Sequence, residues 1–192
     1  MLITLYGINN IGKSTQAKLL VENLKKHNIS AYYLKYPVYT TEPSGSFINS
    51  VLRGGESQSI KEEELQMWFA INRYQFEMEL KKLLQEYQVV IAEDYIGTSL
   101  AWGGAKGADI SWLKALNSQL VQEDFAILIQ GERTTESIEE GHIHENDHDL
   151  LAKVAQNLGQ LAKENHWTIV ERQANMHDTQ KLILDIVLKQ IN

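Results

Sequence analysis

A short run of glycine, lysine and serine near the start of the chain has the spacing of a phosphate-binding loop. Gly7 and Gly12 enclose four residues, and Lys13 and Ser14 follow directly, giving the pattern G-x-x-x-x-G-K-S. The glycines permit a tight turn in which successive backbone N–H groups line a concavity for phosphate oxygens. Lys13 is expected to reach the outer phosphates and the Ser14 hydroxyl to bind Mg²⁺. The pattern therefore predicts a nucleoside triphosphate site.

The residues around this loop predict a strand before it and a helix after it. Residues 2–6 are almost all apolar, and apolar residues recur at helical spacing over residues 17–24. A glycine-rich turn without function is the alternative, but a working phosphate loop needs the strand–loop–helix context that is found here. The residues expected to bind the nucleotide are Gly7, Asn9, Asn10, Gly12, Lys13, Ser14 and Thr15.

Length, charge and cysteine content limit the classes of protein that remain. A chain of 192 residues predicts one domain spanning residues 1–192. The chain has no cysteine, which excludes a disulfide framework and a thiolate zinc site. A net charge of −7 disfavours nucleic acid or an anionic membrane as the main partner. No leader precedes the first strand, and no run of about eighteen apolar residues occurs, so we expect a cytoplasmic protein.

Apolar periodicity divides the rest of the chain into alternating strands and helices. Four further strands are predicted at residues 31–36, 89–92, 125–129 and 167–170. Helices are predicted at about residues 60–87, 109–121, 149–165 and 178–191. This alternation predicts an α/β fold, a three-layer sandwich of the P-loop NTPase type with a five-stranded parallel sheet. The ligand crevice should lie at the carboxyl ends of the strands, which include residues 35–37, 93–95 and 130–133.

Two carboxylates and one aromatic–cation pair are further candidates for function. Glu93 and Asp94 end the third strand and could assist Mg²⁺ binding through water, the alternative being solvated carboxylates at a strand end. Phe69 and Arg73 are one helical turn apart, which places a cation beside an aromatic ring. The alternative is a surface arginine paired with Glu77.

Four segments together resemble the thymidylate kinase family, in the same order and at similar spacing over almost the whole chain. They are Tyr36-Pro37, Thr41-Glu42, residues 69–74 and residues 95–106. The resemblance implies transfer of the γ-phosphoryl group of ATP to thymidine monophosphate, a short lid at about residues 131–149, and a homodimer. It also implies that Phe69 stacks on the base and that Arg73 contacts a base oxygen. The substrate-binding residues it implies are Tyr36, Pro37, Tyr39, Phe69, Arg73, Tyr95, Trp102 and Gly103.

The chain departs from the family pattern at charged positions. Asp94 and Tyr39 stand where the family has phosphate-contacting arginines, and Asn9 stands where it has an acidic residue near the acceptor sugar. A catalytic arginine is missing both at Asn10 and in the acidic segment 139–149. An arginine that neutralises charge in phosphoryl transfer is worth about 10³ to 10⁵ in rate, so another cation is expected to replace it.

Arg133 is our first candidate for that cation, and Lys106 is the second. The predicted catalytic residues are therefore Lys13, Glu93, Asp94 and Arg133, with Ser14 and Glu93 as the Mg²⁺ site. Two other functions stay open. A deoxynucleoside kinase could use Glu93 as a general base, and a relative without the arginines could bind nucleotides without catalysis. The histidines of segment 142–148 could bind a metal ion, although a solvated acidic loop is commoner.

Overall fold

A parallel β-sheet forms the centre of the molecule in the computed structural model, which describes residues 1–53, 60–132 and 148–191. The strands are β1 (Leu2–Tyr6), β2 (Ala31–Lys35), β3 (Val89–Glu93), β4 (Phe125–Gln130) and β5 (Thr168–Glu171). They lie in the order β2-β3-β1-β4-β5, and every neighbouring pair is parallel. The predicted five-stranded parallel sheet is confirmed.

Helices cover both faces of this sheet. They are α1 (Lys13–Lys26), α2 (Ser44–Arg53), α3 (Glu62–Glu86), α4 (Ile96–Ala105), α5 (Ile110–Asn117), α6 (His148–Glu164) and α7 (Met176–Ile191). Alternate strand residues enter different cores, because successive side chains of a strand point to opposite faces. Ile3 and Leu5 pack with α1 and α7, whereas Leu2 and Tyr6 pack with α3 to α6. The three-layer sandwich predicted from the sequence is therefore confirmed.

Two helices were not predicted, and both lie next to the sheet edge where the crevice was expected. Helix α4 contains three glycines, which lower intrinsic helix propensity. Tertiary packing explains one of them, since a Cβ atom on Gly97 would lie 2.5 Å from the Trp167 ring and 2.8 Å from that of Tyr6. Close packing against these rings therefore outweighs the poor propensity of the segment. Helix α2 is amphipathic but short, and its pattern did not stand out in the sequence.

The predicted lid lies largely outside the described residues, which exclude residues 133–147. Arg133 and most of the histidine-rich segment fall in this range, so their predicted roles are not tested.

Among the described helices, none has both the length and the apolar character needed to cross a bilayer.

A buried tyrosine joins the sheet to α4 and to a carboxyl group. The Tyr6 hydroxyl donates to Glu123 Oε1 at 2.9 Å and accepts from the Gly97 amide at 3.1 Å. The Tyr6 ring stacks on Trp167, with ring centroids 4.3 Å apart. Burial raises the pKa of Glu123, although the hydrogen bond from Tyr6 opposes the rise. Ionisation of Glu123 therefore costs the folded state more than it costs the unfolded chain.

We expect Glu123→Gln to become more stabilising relative to the parent protein as the pH rises. A carboxyl group with a raised pKa in the folded state contributes stability below its ordinary pKa and loses it as the pH passes the raised value. Glutamine does not ionise and escapes that loss. Denaturant unfolding of both proteins between about pH 4 and about pH 8 measures the difference. Glu86→Gln, on the exposed end of α3, is the matched control, and a pH-independent difference for Glu123→Gln would contradict the expectation.

Candidate active site

One cavity of about 520 Å³ lies at the carboxyl ends of β1, β2 and β3. Its lining combines the phosphate loop with aromatic side chains of α3 and α4. Six of the seven residues predicted to bind nucleotide line this cavity: Asn9, Asn10, Gly12, Lys13, Ser14 and Thr15. Five of the residues predicted to bind substrate also line it: Tyr36, Pro37, Tyr39, Phe69 and Trp102. The end of β4, at Gln130, is not part of the lining.

The loop has the backbone geometry that its glycines suggested. Gly7 and Gly12 have φ angles of 157° and 99°, and Gly12 is the residue from which α1 begins. A Cβ atom on Gly7 would lie 2.8 Å from the Ile129 carbonyl oxygen and 2.8 Å from the Ile11 side chain. Any larger residue at this position would therefore collide with both the loop and β4. Asn10 also has a positive φ, of 62°, which asparagine tolerates better than most residues.

The Lys13 ammonium group is folded onto the loop. It donates to the carbonyl oxygens of Gly7 at 2.9 Å and Ile8 at 3.0 Å, and it lies 3.8 Å from Asp94 Oδ1. Asp94 is held in turn by the Thr98 hydroxyl, which donates to Oδ1 at 2.8 Å. Burial raises the pKa of Asp94 even though the Lys13 charge opposes the rise. Lys13 and Asp94 thus lie close together in the lining of the cavity, and the catalytic roles predicted for them stay predictions.

Glu93 is the most completely engaged carboxylate of the site. Ser14 Oγ donates to its Oε1 at 2.6 Å, Lys35 Nζ lies 3.1 Å from the same oxygen, and the Tyr33 hydroxyl donates to Oε2. Burial alone would raise the pKa of Glu93, but the Lys35 charge and the two hydrogen bonds hold the pKa below its ordinary value. Glu93 is 2% exposed, which excludes the alternative of a solvated carboxylate.

The predicted Mg²⁺ site consists of ligands that suit this ion. A hydroxyl and a carboxylate oxygen from Ser14 and Glu93 lie 2.6 Å apart, and hard cations prefer oxygen ligands. The same carboxylate oxygen lies 3.1 Å from the Lys35 ammonium, so a cation bound there would share this oxygen with Lys35. Among the described residues, no group of three or more His, Cys, Asp or Glu side chains could hold a metal ion. Magnesium sites with one or two carboxylates are completed by substrate phosphates and water, which fits this arrangement.

Three predicted substrate residues lie behind the cavity wall. Arg73 is 4% exposed, and its Nε, Nη2 and Nη1 donate to Asn117 Oδ1 at 3.1 Å, Ser99 Oγ at 2.7 Å and the Tyr95 carbonyl oxygen at 3.5 Å. Burial lowers the pKa of Arg73 to about 10. The Tyr95 hydroxyl points away and donates to the Val121 carbonyl oxygen. These contacts exclude the surface arginine considered as an alternative.

Gly103 has a packing role in the same wall. A Cβ atom at this position would lie 2.8 Å from Leu113 Cδ1 and 3.2 Å from the Gln66 side chain.

Glu77, the partner considered for Arg73, instead accepts a hydrogen bond from the Val121 amide at 2.8 Å and pairs with Lys81 at 3.2 Å. The base contact implied for Arg73 therefore stays a prediction, while its role as a buried link between α3, α4 and α5 is clear.

Several residues that line the cavity were not assigned to the site from the sequence. Lys35 and Arg53 bring positive charge to the lining, and the Arg53 guanidinium lies 5.1 Å from the centre of the Tyr39 ring. The only sequence signal for Lys35 was its place at the end of β2. Glu62 and Gln66 contribute polar groups from α3, and Glu62 pairs with Lys106 at 3.1 Å. Nothing in the spacing of Glu62 and Gln66 singled them out, whereas Lys106, the second sequence candidate for the replacing cation, also lines the cavity.

A phosphate loop at the edge of a parallel sheet, with aromatic side chains in the lining of the same cavity, is the arrangement of P-loop nucleotide kinases. A family model described as thymidylate kinase matches residues 5–183. The chain belongs to the thymidylate kinase family.

Individual relatives agree with this assignment. A probable thymidylate kinase of Thermococcus onnurineus is 33% identical over 181 residues, which cover 90% of this chain and 85% of that protein. A putative thymidylate kinase of Invertebrate iridescent virus 6 is 32% identical over 132 residues, but the match spans only 61% of its length and 69% of this chain. The structure of thymidylate kinase from Candida albicans has the same fold, with a TM-score of 0.83 at 21% identity over 98% of this chain and 91% of that one.

Proposed function

We propose that the protein transfers the γ-phosphoryl group of ATP to thymidine monophosphate. The observation that carries the proposal is one cavity whose lining contains both the phosphate loop and the Phe69 side chain. A donor held by the loop and an acceptor base stacked on Phe69 would then bring their phosphates together inside this cavity. Membership of the thymidylate kinase family supports the same acceptor.

The residues supply orientation and charge rather than a strong base. An acceptor phosphate has its second pKa at about 6, so its oxygen is largely ionised near neutral pH and needs no base. Backbone amides of the loop and the Lys13 ammonium would bind the donor phosphates, and Ser14 with Glu93 would hold Mg²⁺. When bound there, Mg²⁺ would neutralise part of the phosphate charge. The chain's own groups therefore act mainly by positioning and charge cancellation.

Two cations, Arg53 and Lys35, are our candidates to replace the family arginines that are missing at positions such as Tyr39. Tyr39 stands at the position of a phosphate-contacting arginine, and Arg53 reaches over its ring from α2. Lys35, at the end of β2, lies 3.4 Å from Ser14 Oγ and faces the phosphate end of the cavity. We infer that Arg53 and Lys35 contact the phosphates. Both belong to the described residues, unlike the first candidate, Arg133.

The contacts of Glu93 argue against a nucleoside kinase. A neutral 5′-hydroxyl needs a general base whose oxygen is free to take a proton. Both Glu93 oxygens accept hydrogen bonds within the protein, from Ser14 and Tyr33, and its pKa is held low. Glu93 is therefore better suited to remain a fixed, charged carboxylate than to accept a proton as a general base.

A panel of acceptors assayed with ATP and Mg²⁺ tests the proposal. ADP formation with thymidine monophosphate, and little with thymidine, is the expected result. Phosphorylation of thymidine alone would favour the nucleoside kinase. Binding of ATP without turnover of any nucleoside or nucleoside monophosphate would instead identify a nucleotide-binding relative that has lost catalysis.

We also propose a homodimer, in line with the family resemblance. Exposed apolar side chains form one stripe along α3: Met67, Ile71, Tyr74 and Met78. Such a stripe at helical spacing is typical of a surface that a second copy covers. We expect sedimentation to give a dimer and Ile71→Lys to give a monomer. Met176→Lys, at the start of α7, is the control that should leave the dimer intact, and a monomeric parent protein would refute the proposal.

A further inference from the structure

One lysine contacts both of the side chains that we propose as ligands of Mg²⁺. Lys35 Nζ lies 3.1 Å from Glu93 Oε1, and it donates to Ser14 Oγ at 3.4 Å. The two oxygens are joined to each other by a hydrogen bond of 2.6 Å. The ammonium group therefore lies against the same pair of oxygens that the metal ion would use, and it carries charge of the same sign.

The other oxygen of Glu93 is already engaged within the protein. The Tyr33 hydroxyl donates to Oε2, and Glu93 is 2% exposed, so the carboxylate is held from both sides. Rotation that offered Oε2 to the cavity would break the hydrogen bonds from Ser14 and Tyr33, which is costly for a buried carboxylate. A metal ion and Lys35 must therefore use the same oxygen, Oε1.

Lys35 reaches this oxygen from the cavity and is able to leave it. Its side chain lines the cavity and is 48% exposed, whereas that of Glu93 is 3% exposed. An ion pair of a half-exposed lysine contributes little to stability, and the ammonium group is carried on a flexible stem. Two cations in contact with one oxygen repel each other. A divalent ion at Oε1 would therefore displace Lys35 without disturbing the fold.

We propose that Lys35 occupies the Mg²⁺ position of the nucleotide-free protein and leaves it when the ion binds. This inference rests on the proposed function, in which Ser14 and Glu93 hold Mg²⁺ and Lys35 contacts the phosphates. By bridging the two oxygens, Lys35 acts as a positioning residue that keeps them together before the ion arrives. It also weakens binding of the free ion, because the ion has to displace an ammonium group and has no phosphate oxygens to complete its ligands.

Binding of Mn²⁺ to the nucleotide-free protein tests this role without turnover. Mn²⁺ takes the same oxygen ligands as Mg²⁺, and its free form is measured by electron paramagnetic resonance. Lys35→Met keeps the apolar stem and removes the competing charge, so we expect it to bind Mn²⁺ about tenfold more tightly than the parent protein does. Lys25→Met removes an exposed charge from the last turn of α1, distant from the loop, and should change the affinity by less than about twofold.

A double variant locates the ion. Addition of Glu93→Gln to Lys35→Met removes the carboxylate and should abolish the gain in affinity. Equal affinity of the parent and Lys35→Met, including no binding by either, would overturn the role of Lys35, and so would a gain that persists after Glu93→Gln. A gain in binding does not arise from a loss of folding. The acceptor panel with ATP tests the proposed function separately, because the Mn²⁺ titration contains no nucleotide.

Discussion

Replacement of Lys13 by methionine should reduce turnover about 10³-fold with every acceptor. The Lys13 ammonium is the described cation nearest to the loop carbonyls, 2.9 Å from that of Gly7. Because this loop is where we expect the donor phosphates to bind, the Lys13 ammonium can stabilise the negative charge that develops on them. Methionine preserves the buried stem but supplies no charge. Because the donor is common to all reactions, the fold-change should be the same for each acceptor.

An assay of ADP formation with several nucleoside monophosphates measures this effect. Lys25→Met, on the exposed last turn of the same helix, is the matched control and should retain full activity. Melting temperatures of the Lys13 variant and the parent separate a loss of folding from a loss of turnover, because the change also removes the Lys13 hydrogen bonds to the Gly7 and Ile8 carbonyl oxygens. Turnover within tenfold of the parent value would show that the loop lysine does not stabilise the transition state.

Replacement of Arg73 by methionine should lower the free energy of unfolding by about 3 kcal/mol. The change removes three buried hydrogen bonds, to Asn117 Oδ1, Ser99 Oγ and the Tyr95 carbonyl oxygen. It also removes the link between α3, α4 and α5. For a domain of this size, the loss corresponds to a fall in melting temperature of about 6 to 12 °C. Denaturant and thermal unfolding measure both quantities.

A control variant and a binding measurement show whether Arg73 acts through stability, through base recognition or through both. Arg172→Met, which removes one hydrogen bond from an arginine near the surface, should cost less than about 1 kcal/mol. Nucleotide binding by the Arg73 variant, measured well below its melting temperature, then separates its two roles. An unchanged preference for thymine over cytosine would assign Arg73 to the wall alone. A lost preference without loss of stability would contradict the buried role and support the direct base contact implied by the family.

The phosphate end of the site was more predictable than the acceptor end. Residues 2–15 are consecutive, so the apolar run and the glycine spacing alone predict a strand, a turn and a helix, and six loop residues line the cavity. Glu93 and Asp94 were also found, because the carboxyl ends of parallel strands meet at one edge. Phe69 and Trp102, which we propose to bind the acceptor, lie on different helices. Only the family resemblance connected them, and it did not reveal that Arg73 lies behind the wall.

The sequence by itself determined the elements whose signals are local: the strand–loop–helix of the phosphate site, the apolar strands and the long helix α3. It also determined the family, because a series of motifs in a fixed order can be recognised from the residues without knowing which of them are in contact. The tertiary structure alone decided which cations reach the cavity, which carboxylate oxygens are occupied and that Arg73 is buried behind the cavity wall. These properties depend on pairs such as Lys35 with Glu93 or Glu62 with Lys106. The partners are more than 40 residues apart, and no periodicity in a chain reports a contact over that separation.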